Sequence, residues 1–399
     1  MRIAFICKRR YMGKDVIDDR YGRLYEIPLQ LARLGHEVHG FCLGYRSESE
    51  GEAIHDALPG RLEWHARSLG GGAFTRLAAY PSRLLGQLRR LQPDVLIGAS
   101  DIPQVALTAW LARKLDRPYA VDLYDNFEGF GQARIPGFVT ALRKATRHAG
   151  LVTTTSDALA GLVRGTYRAE GTVVSMPSTV DLDVFRPGDR ATAREALGLP
   201  VQATLIGTAG GLLASRGIGE LYAAWNALAP SMPDAHLVLA GPVDPALPPP
   251  VAPRVHYLGM LAHRHTATLF QALDTGIIYL RDTPFGNYCF PQKAYEMFAC
   301  GLPVVAADIG AMPALLADNP QALYRAGNAQ DLLRAINHQL NSRALAQLAV
   351  EDWATIIGRI EPRLVELTGD GIRQERSTAN GRSTPLDLAQ VIPKAHPEG

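Results

Sequence analysis

Lys293 and Glu296 stand three residues apart in the segment Phe285–Val305 (FGNYCFPQKAYEMFACGLPVV), so on a helix they share one face. Pro291 suits the first turn of such a helix, Gly301 suits its end, and Pro303-Val304-Val305 starts a buried strand. A helix opening onto a loop leaves its first amides unpaired, which makes an anion site. A carboxylate one turn further in can accept hydrogen bonds from two ribose hydroxyls. Spacing alone fits an ordinary surface ion pair equally well. A second segment, Gly207-Thr-Ala-Gly-Gly-Leu-Leu-Ala-Ser-Arg-Gly-Ile-Gly219, has five glycines that permit close backbone approach to a phosphate. It contains Gly210, Gly211 and Arg216, but a glycine-rich turn by itself is weak support for phosphate binding. In a third, Val121–Gly129, the carboxylates Asp122, Asp125 and Glu128 follow an apolar run. Asp122 and Asp125 can bind sugar hydroxyls or assist an acceptor hydroxyl, or they can be a helix cap and solvated acids. The fourth is the basic loop Lys8–Arg23, in which Gly22 and Arg23 are the candidates to approach a ligand; a solvated loop is the plainer reading.

The elements that must position these residues alternate between short apolar runs and amphipathic stretches. Strands are expected at Ile3–Cys7, Val38–Cys42, Leu62–Ala66, Val95–Gly98, Tyr119–Leu123 and Leu151–Thr154, with helices at Leu24–Leu34, Phe74–Leu91 and Val105–Leu115. The pattern then restarts, with strands at Ala203–Gly207, His236–Ala240, Val255–Leu258, Thr275–Tyr279 and Val304–Ala306. Helices are expected at Gly219–Leu228, Thr266–Leu273, Gln292–Ala299 and Ala329–Leu340. This is an α/β chain of two parallel, doubly wound, Rossmann-like domains. They occupy residues 1–187 and 188–341, joined at Phe185–Pro200, where Pro187, Gly188 and Pro200 flank a short charged helix. A helical stretch at 342–368 crosses back to the first domain. A polar, Gly- and Pro-punctuated tail at 369–399 is expected to be disordered. Ligands of open α/β sheets bind beyond the carboxyl ends of the strands, so two such domains face a common cleft.

Composition excludes several classes. The 399 residues include 47% hydrophobic and 20% charged, an ordinary globular balance, and the formal net charge of +2 gives no footprint for nucleic acid. No apolar run reaches the length of a membrane span. In MRIAFICKRR the charge follows the apolar run, the wrong order for a secretory signal, and Cys7, Cys42, Cys289 and Cys300 lack metal-ligand spacing. Both point to a cytoplasmic protein. His36, His55, His65, His148, His263 and His265 show no metal spacing, and no metal site is expected. Phe74–Leu91, with Arg76, Arg83, Arg89 and Arg90 among leucines, reads first as a sheet-packing helix and second as a peripheral contact with the inner face of a membrane.

Asn287, Pro291, Lys293, Glu296, Gly301, Pro303 and Val304 together resemble the signature of retaining GT-B glycosyltransferases of the family 4 type, also called glycosyl transferases group 1. Further landmarks are Tyr25–Val38, Pro177–Asp181 with Phe185 and Pro187, Gly241-Pro242, Tyr257-Leu258-Gly259 and Asp308–Pro313. The resemblance implies a GT-B fold and transfer of a sugar from a nucleotide-diphosphate sugar to a hydroxyl on a glycan or lipid-linked glycan. It also implies retention of configuration, with no cofactor and no obligatory metal. It assigns Glu296 to the donor ribose, and Arg216 and Lys293 to the diphosphate. Gly286 and Asn287 would offer backbone amides to the donor sugar, and the histidine often found near Asp122 and Asp125 is replaced by those acids. Two departures stand out. Tyr288 occupies the position of a family acid eight residues before the ribose-binding glutamate, and Gly211 stands where a diphosphate-binding arginine is expected. Two alternatives stay open: a different GT-B enzyme such as a sugar-nucleotide epimerase, and, on account of these departures, a non-catalytic sugar-nucleotide-binding protein.

Overall fold

The computed structural model describes residues 1–70, 73–347 and 350–369, with the side chains of Ala73 and Phe74 excluded. The expected tail lies, from residue 370 on, outside the described residues. Fully apolar runs become central strands. Ile3–Cys7, for instance, is completely buried within the strand Arg2–Lys8.

The first sheet has eight strands in the order Thr172–Ser175, Leu151–Thr154, Tyr119–Leu123, Val95–Ala99, Arg2–Lys8, Glu37–Gly44, Arg61–Ser68, Gly51–His55. All neighbours are parallel except the last pair. The second sheet has six parallel strands in the order Val255–Tyr257, Ala235–Ala240, Thr204–Ala209, Thr275–Ile278, Val304–Ala307, Leu323–Tyr324. In each sheet the chain first winds one way and then the other. The switch points fall between Arg2–Lys8 and Val95–Ala99, and between Thr204–Ala209 and Thr275–Ile278. Ligand crevices form beyond such points.

Helices cover both faces of each sheet. Arg23–Arg33 and Trp353–Leu367 share one core with the first sheet, and Leu84, Leu85 and Leu88 of the Ala73–Leu91 helix pack on its opposite face. The apolar side of that helix is therefore buried on the sheet, while Arg76 pairs with Glu50 at 2.9 Å, which gives the membrane-contact expectation no support. Among the described residues no helix is long and apolar enough to cross a membrane. On the second sheet, His263–Ala272 and Gln292–Ala299 contribute to one core, and Ile218–Leu228 and Ala329–Ser342 to the other. Val180 and Phe185 already pack into the second core, ahead of Pro187.

Some expected elements differ. The helical stretch expected from Ser342 begins only at Trp353, because Arg343 adopts a left-handed conformation (φ 49°) that ends Ala329–Ser342, and Asp352 caps the new helix through the Thr355 amide at 2.8 Å. The helices Phe138–Arg147 and Asp157–Gly165 and the edge strands Gly51–His55, Thr172–Ser175 and Leu323–Tyr324 were not foreseen. The Lys8–Arg23 loop contains a small hairpin, Arg10–Tyr11 paired with Lys14–Asp15.

Candidate active site

Between the carboxyl ends of the two sheets lies a cavity of about 550 Å³, lined from the first sheet by Tyr11, Tyr21, Tyr124 and Asp125, and from the second by Gly210, Gly211, Arg216, Gly241, Tyr279, Phe285, Lys293 and Glu296. The volume is that of a small-ligand site.

Its floor follows from the local sequence. Thr204–Ala209 ends in Gly210, whose φ of +109° suits glycine alone, and a Cβ there would stand 3.3 Å from Lys293 Cε and Nζ. Gly241, at φ +122°, passes so close that a Cβ would strike the Gly210 carbonyl at 2.2 Å. Tyr279 donates its hydroxyl to the Gly211 carbonyl at 2.9 Å and lays its ring 5.1 Å from Lys293 Nζ. The Gln292–Ala299 helix starts at the cavity without a side-chain cap, and its Gln292 and Ala294 amides donate to the Phe290 and Pro291 carbonyls at 2.9 and 2.8 Å. Gly210→Ala is expected to displace the Lys293 ammonium and weaken nucleotide-sugar binding about tenfold, as read by calorimetry.

Charge on this floor is held out of water. Burial pushes the Glu296 carboxyl up to about 7, partly offset by Lys293. Burial likewise lowers the Lys293 ammonium to about 8, with Glu296 acting the other way and Arg216 adding to the lowering. Both are half-buried, open to the cavity but otherwise ringed by protein. Arg216 is exposed, with its guanidinium 5.0 Å from the Phe285 ring centroid, and completes a cationic rim. Asp125 faces it from the first sheet. Burial raises its carboxyl to about 6 against the Asn126 amide bond and Arg216, so it is ionised at neutral pH.

Asp125, Gly210, Gly211, Arg216, Lys293 and Glu296 thus come together, as their segments suggested. The other candidates lie elsewhere. Arg23 and Asp122, expected to contact donor and acceptor, are each 1% exposed and bound to one another, with Arg23 Nε 3.0 and 2.9 Å and Nη2 2.6 Å from the Asp122 carboxylate oxygens. Thr153 Oγ1 also donates to Asp122 and Arg23 Nη1 to the Met176 carbonyl, both at 2.6 Å, and with both side chains buried neither is open to a sugar. Glu128 is turned to Arg143 at 2.7 Å. Asn287 donates its side-chain amide to Asp282 at 2.8 Å. The Tyr288 ring packs against the first domain's core, and its carbonyl accepts from Ser156 Oγ at 3.3 Å, which makes it a tie between the domains rather than a donor ligand. Gly22 and Gly286 act through their lack of a Cβ: one at Gly22 would lie 2.8 Å from the Tyr11 ring, and one at Gly286 would lie 2.1 Å from the Arg281 carbonyl.

Sequence reasoning missed the aromatic wall. Tyr21 crosses the cleft, with its ring edge-on to His263 at 5.5 Å. Tyr124 accepts a hydrogen bond from Lys8 Nζ at 3.2 Å and packs edge-on to Tyr11 at 5.0 Å. The available signal was that Tyr11, Tyr21 and Tyr124 lie inside segments already singled out for their charges.

Residues 23–179 match the Glycosyl transferase 4-like domain family, and residues 203–342 match Glycosyl transferases group 1. A D-inositol 3-phosphate glycosyltransferase of Mycobacterium tuberculosis (strain H37Rv) is 36% identical over 151 residues, which cover 35% of this chain and 30% of that protein's length. The fold is similar to sucrose-phosphate synthase from Thermosynechococcus elongatus, with a TM-score of 0.66 at 18% identity over 94% of this chain and 99% of that one. It is also similar to Anabaena Alr3699/HepE in complex with UDP-glucose, with a TM-score of 0.60 at 18% identity over 96% of this chain and 100% of that one. Two adjoining domain families, in the order and arrangement of these folds, show that the chain belongs to the GT-B glycosyltransferases of the glycosyl transferases group 1 type.

Proposed function

We propose that this protein transfers a sugar from a nucleotide-diphosphate sugar to a hydroxyl group of a glycan or lipid-linked glycan, with retention of configuration and without a required metal. The observation that carries the reading is the floor of the cleft, where Lys293, Glu296 and Arg216 surround the Gly210-Gly211 turn. Glu296 accepts hydrogen bonds from the donor ribose. The Lys293 and Arg216 cations stabilise the diphosphate as the glycosidic bond breaks and negative charge builds on the leaving oxygen. Asp125, across the cleft and ionised at neutral pH, accepts a hydrogen bond from the acceptor hydroxyl and orients it. Tyr21 and the other aromatic residues exclude water from the donor, which favours transfer over hydrolysis. UDP-sugars are the first donors to test, since UDP-glucose is bound in the Anabaena structure.

A thermal-shift screen across UDP-, GDP-, ADP- and TDP-sugars checks the donor. Ligand at about 100 times its dissociation constant contributes ~2.7 kcal/mol of stability. At least one nucleotide sugar is expected to raise the melting temperature, and no response to any would sink the reading. The chosen donor is then followed by proton NMR with and without acceptors. An axial or equatorial product anomer matching the donor supports retention, whereas isomerised donor in the absence of acceptor identifies an epimerase instead.

A further inference from the structure

On a pleated sheet, alternate residues of neighbouring strands share a face. The register of the first sheet sets His39 beside Glu63, and Phe41 beside His65, with Glu52 opposite His65 on the edge strand. His39 Nδ1 then lies 3.2 Å from His65 Nε2, and Glu63 Oε1 lies 3.7 Å from that same His65 nitrogen. Among the described residues, this is the only group of three His, Cys, Asp or Glu whose ligand atoms all lie within 4.8 Å of one another.

The outer ring nitrogens make the cluster informative. His39 Nε2 meets Glu37 at 3.0 Å, and His65 Nδ1 meets Glu52 at 3.3 Å. A carboxylate only accepts, so each outer nitrogen carries the proton of its neutral ring. That sets His39 Nδ1 and His65 Nε2 facing each other at 3.2 Å, the rings 15° apart in plane, a gap that either a shared proton or a metal cation can bridge. Imidazoles whose far nitrogen is held by a carboxylate are the usual supporting arrangement of metal ligands. Two nitrogens on one tetrahedral zinc, each at about 2.0–2.1 Å, stand about 3.3 Å apart. Arg61 Nη2 holds Glu63 Oε2 at 2.7 Å and leaves Oε1 turned to the histidines. Phe41 stacks on the His65 ring at 4.8 Å and fixes its plane.

We propose that His39, His65 and Glu63 bind a divalent d-block cation of the zinc class. The site sits along the middle of Glu37–Gly44 and Arg61–Ser68, at the margin of the first sheet, so it clamps that margin and takes no part in sugar transfer. The 26-residue separation of the histidines hides it from sequence spacing; only strand register brings them together.

The test uses untagged full-length protein with zinc alone, followed by calorimetry, and with cobalt(II) alone, followed by visible absorption. One zinc per chain is expected, with the intense bands of four-coordinate cobalt. His65→Ala and Glu63→Gln should each weaken zinc binding at least about tenfold, and Glu52→Gln, at an exposed supporting residue, about tenfold without disturbing the fold. His256→Ala serves as the control. His236 Nδ1 and His256 Nε2 face each other at 2.8 Å, but the described residues give them no third ligand. Absence of zinc binding, cobalt spectra of the six-coordinate ion, or affinity lost with His256→Ala and kept in the His65 and Glu63 variants would each overturn the proposal.

Discussion

Glu296→Ala is expected to weaken nucleotide-sugar binding by about two orders of magnitude, or ~3 kcal/mol, measured by calorimetry at pH 7.5. Hydrogen bonds to a charged acceptor contribute roughly 1.5–3 kcal/mol each, and the carboxylate is assigned two ribose hydroxyls. The loss is kept below the full sum because ionising Glu296 on the half-buried floor is itself unfavourable before ligand arrives.

The same environment sets a pH dependence with two limbs. Glu296, at about 7, is the stronger acceptor of ribose hydroxyls when ionised, so donor affinity falls as pH drops through 7. Lys293, at about 8, attracts the diphosphate only when protonated, so affinity also falls as pH rises through 8. Glu296→Gln should abolish the acid limb. Lys293→Arg, whose guanidinium stays charged, should abolish the alkaline one. Stability of the unliganded protein runs with its own sign. A folded carboxyl raised above its unfolded value of 4.5 contributes stability that is full below that value and lost as pH rises towards 7. Donor binding therefore improves over the interval in which the free protein weakens. A Glu296→Gln variant that retained the acid limb would assign it to another group.

Much of this site was legible because its parts are local. The Gly210-Gly211 turn and the Lys293–Glu296 helix face each lie within one segment, where glycine conformation and helical spacing act over a few residues. Central strands such as Ile3–Cys7 announced themselves by unbroken apolar character, whereas the edge strand Gly51–His55 is mostly exposed and exists through its pairing with Arg61–Ser68. Arg23 and Asp122 misled for a reason that residue type cannot reveal. They lie 99 residues apart, each at the correct end of its element, and look like free cleft charges until the fold joins them. Parity along the strand was the available clue. Ala120 packs in the core under the Arg23–Arg33 helix, and Asp122, two residues on, points the same way, beneath that helix rather than out of the strand's end. Tyr288 is similar: its position invited comparison with a catalytic acid, while its ring belongs to a core from the other domain.

That buried pair carries the second large effect. Arg23→Ala leaves the Asp122 carboxylate enclosed, with the Thr153 hydroxyl as its remaining side-chain partner, and strips the Met176 carbonyl of its donor. Removing one member of a buried ion pair costs about 3–5 kcal/mol, because the survivor's charge is neither solvated nor paired. The melting temperature is expected to fall by about 10 °C, at roughly 2–4 °C per kcal/mol for domains of this size. Asp122→Ala should do the same from the other side, with a buried guanidinium left over. The double variant Arg23→Met with Asp122→Leu should recover most of the loss, since apolar replacements of similar volume remove both desolvation penalties together. Donor affinity decides between a structural and a ligand-binding role. At a temperature where all the variants are folded, calorimetry is expected to give nucleotide-sugar dissociation constants within about threefold of the parent. A tenfold loss of affinity in the stable double variant would return Arg23 and Asp122 to the ligand site. The measurement separates two ways in which charged residues reach the carboxyl end of a parallel sheet: Lys293 and Glu296 remain open to the cavity, while Arg23 and Asp122 close on each other and fasten the Arg23–Arg33 helix, and with it the Tyr21 side of the cleft, to the sheet below.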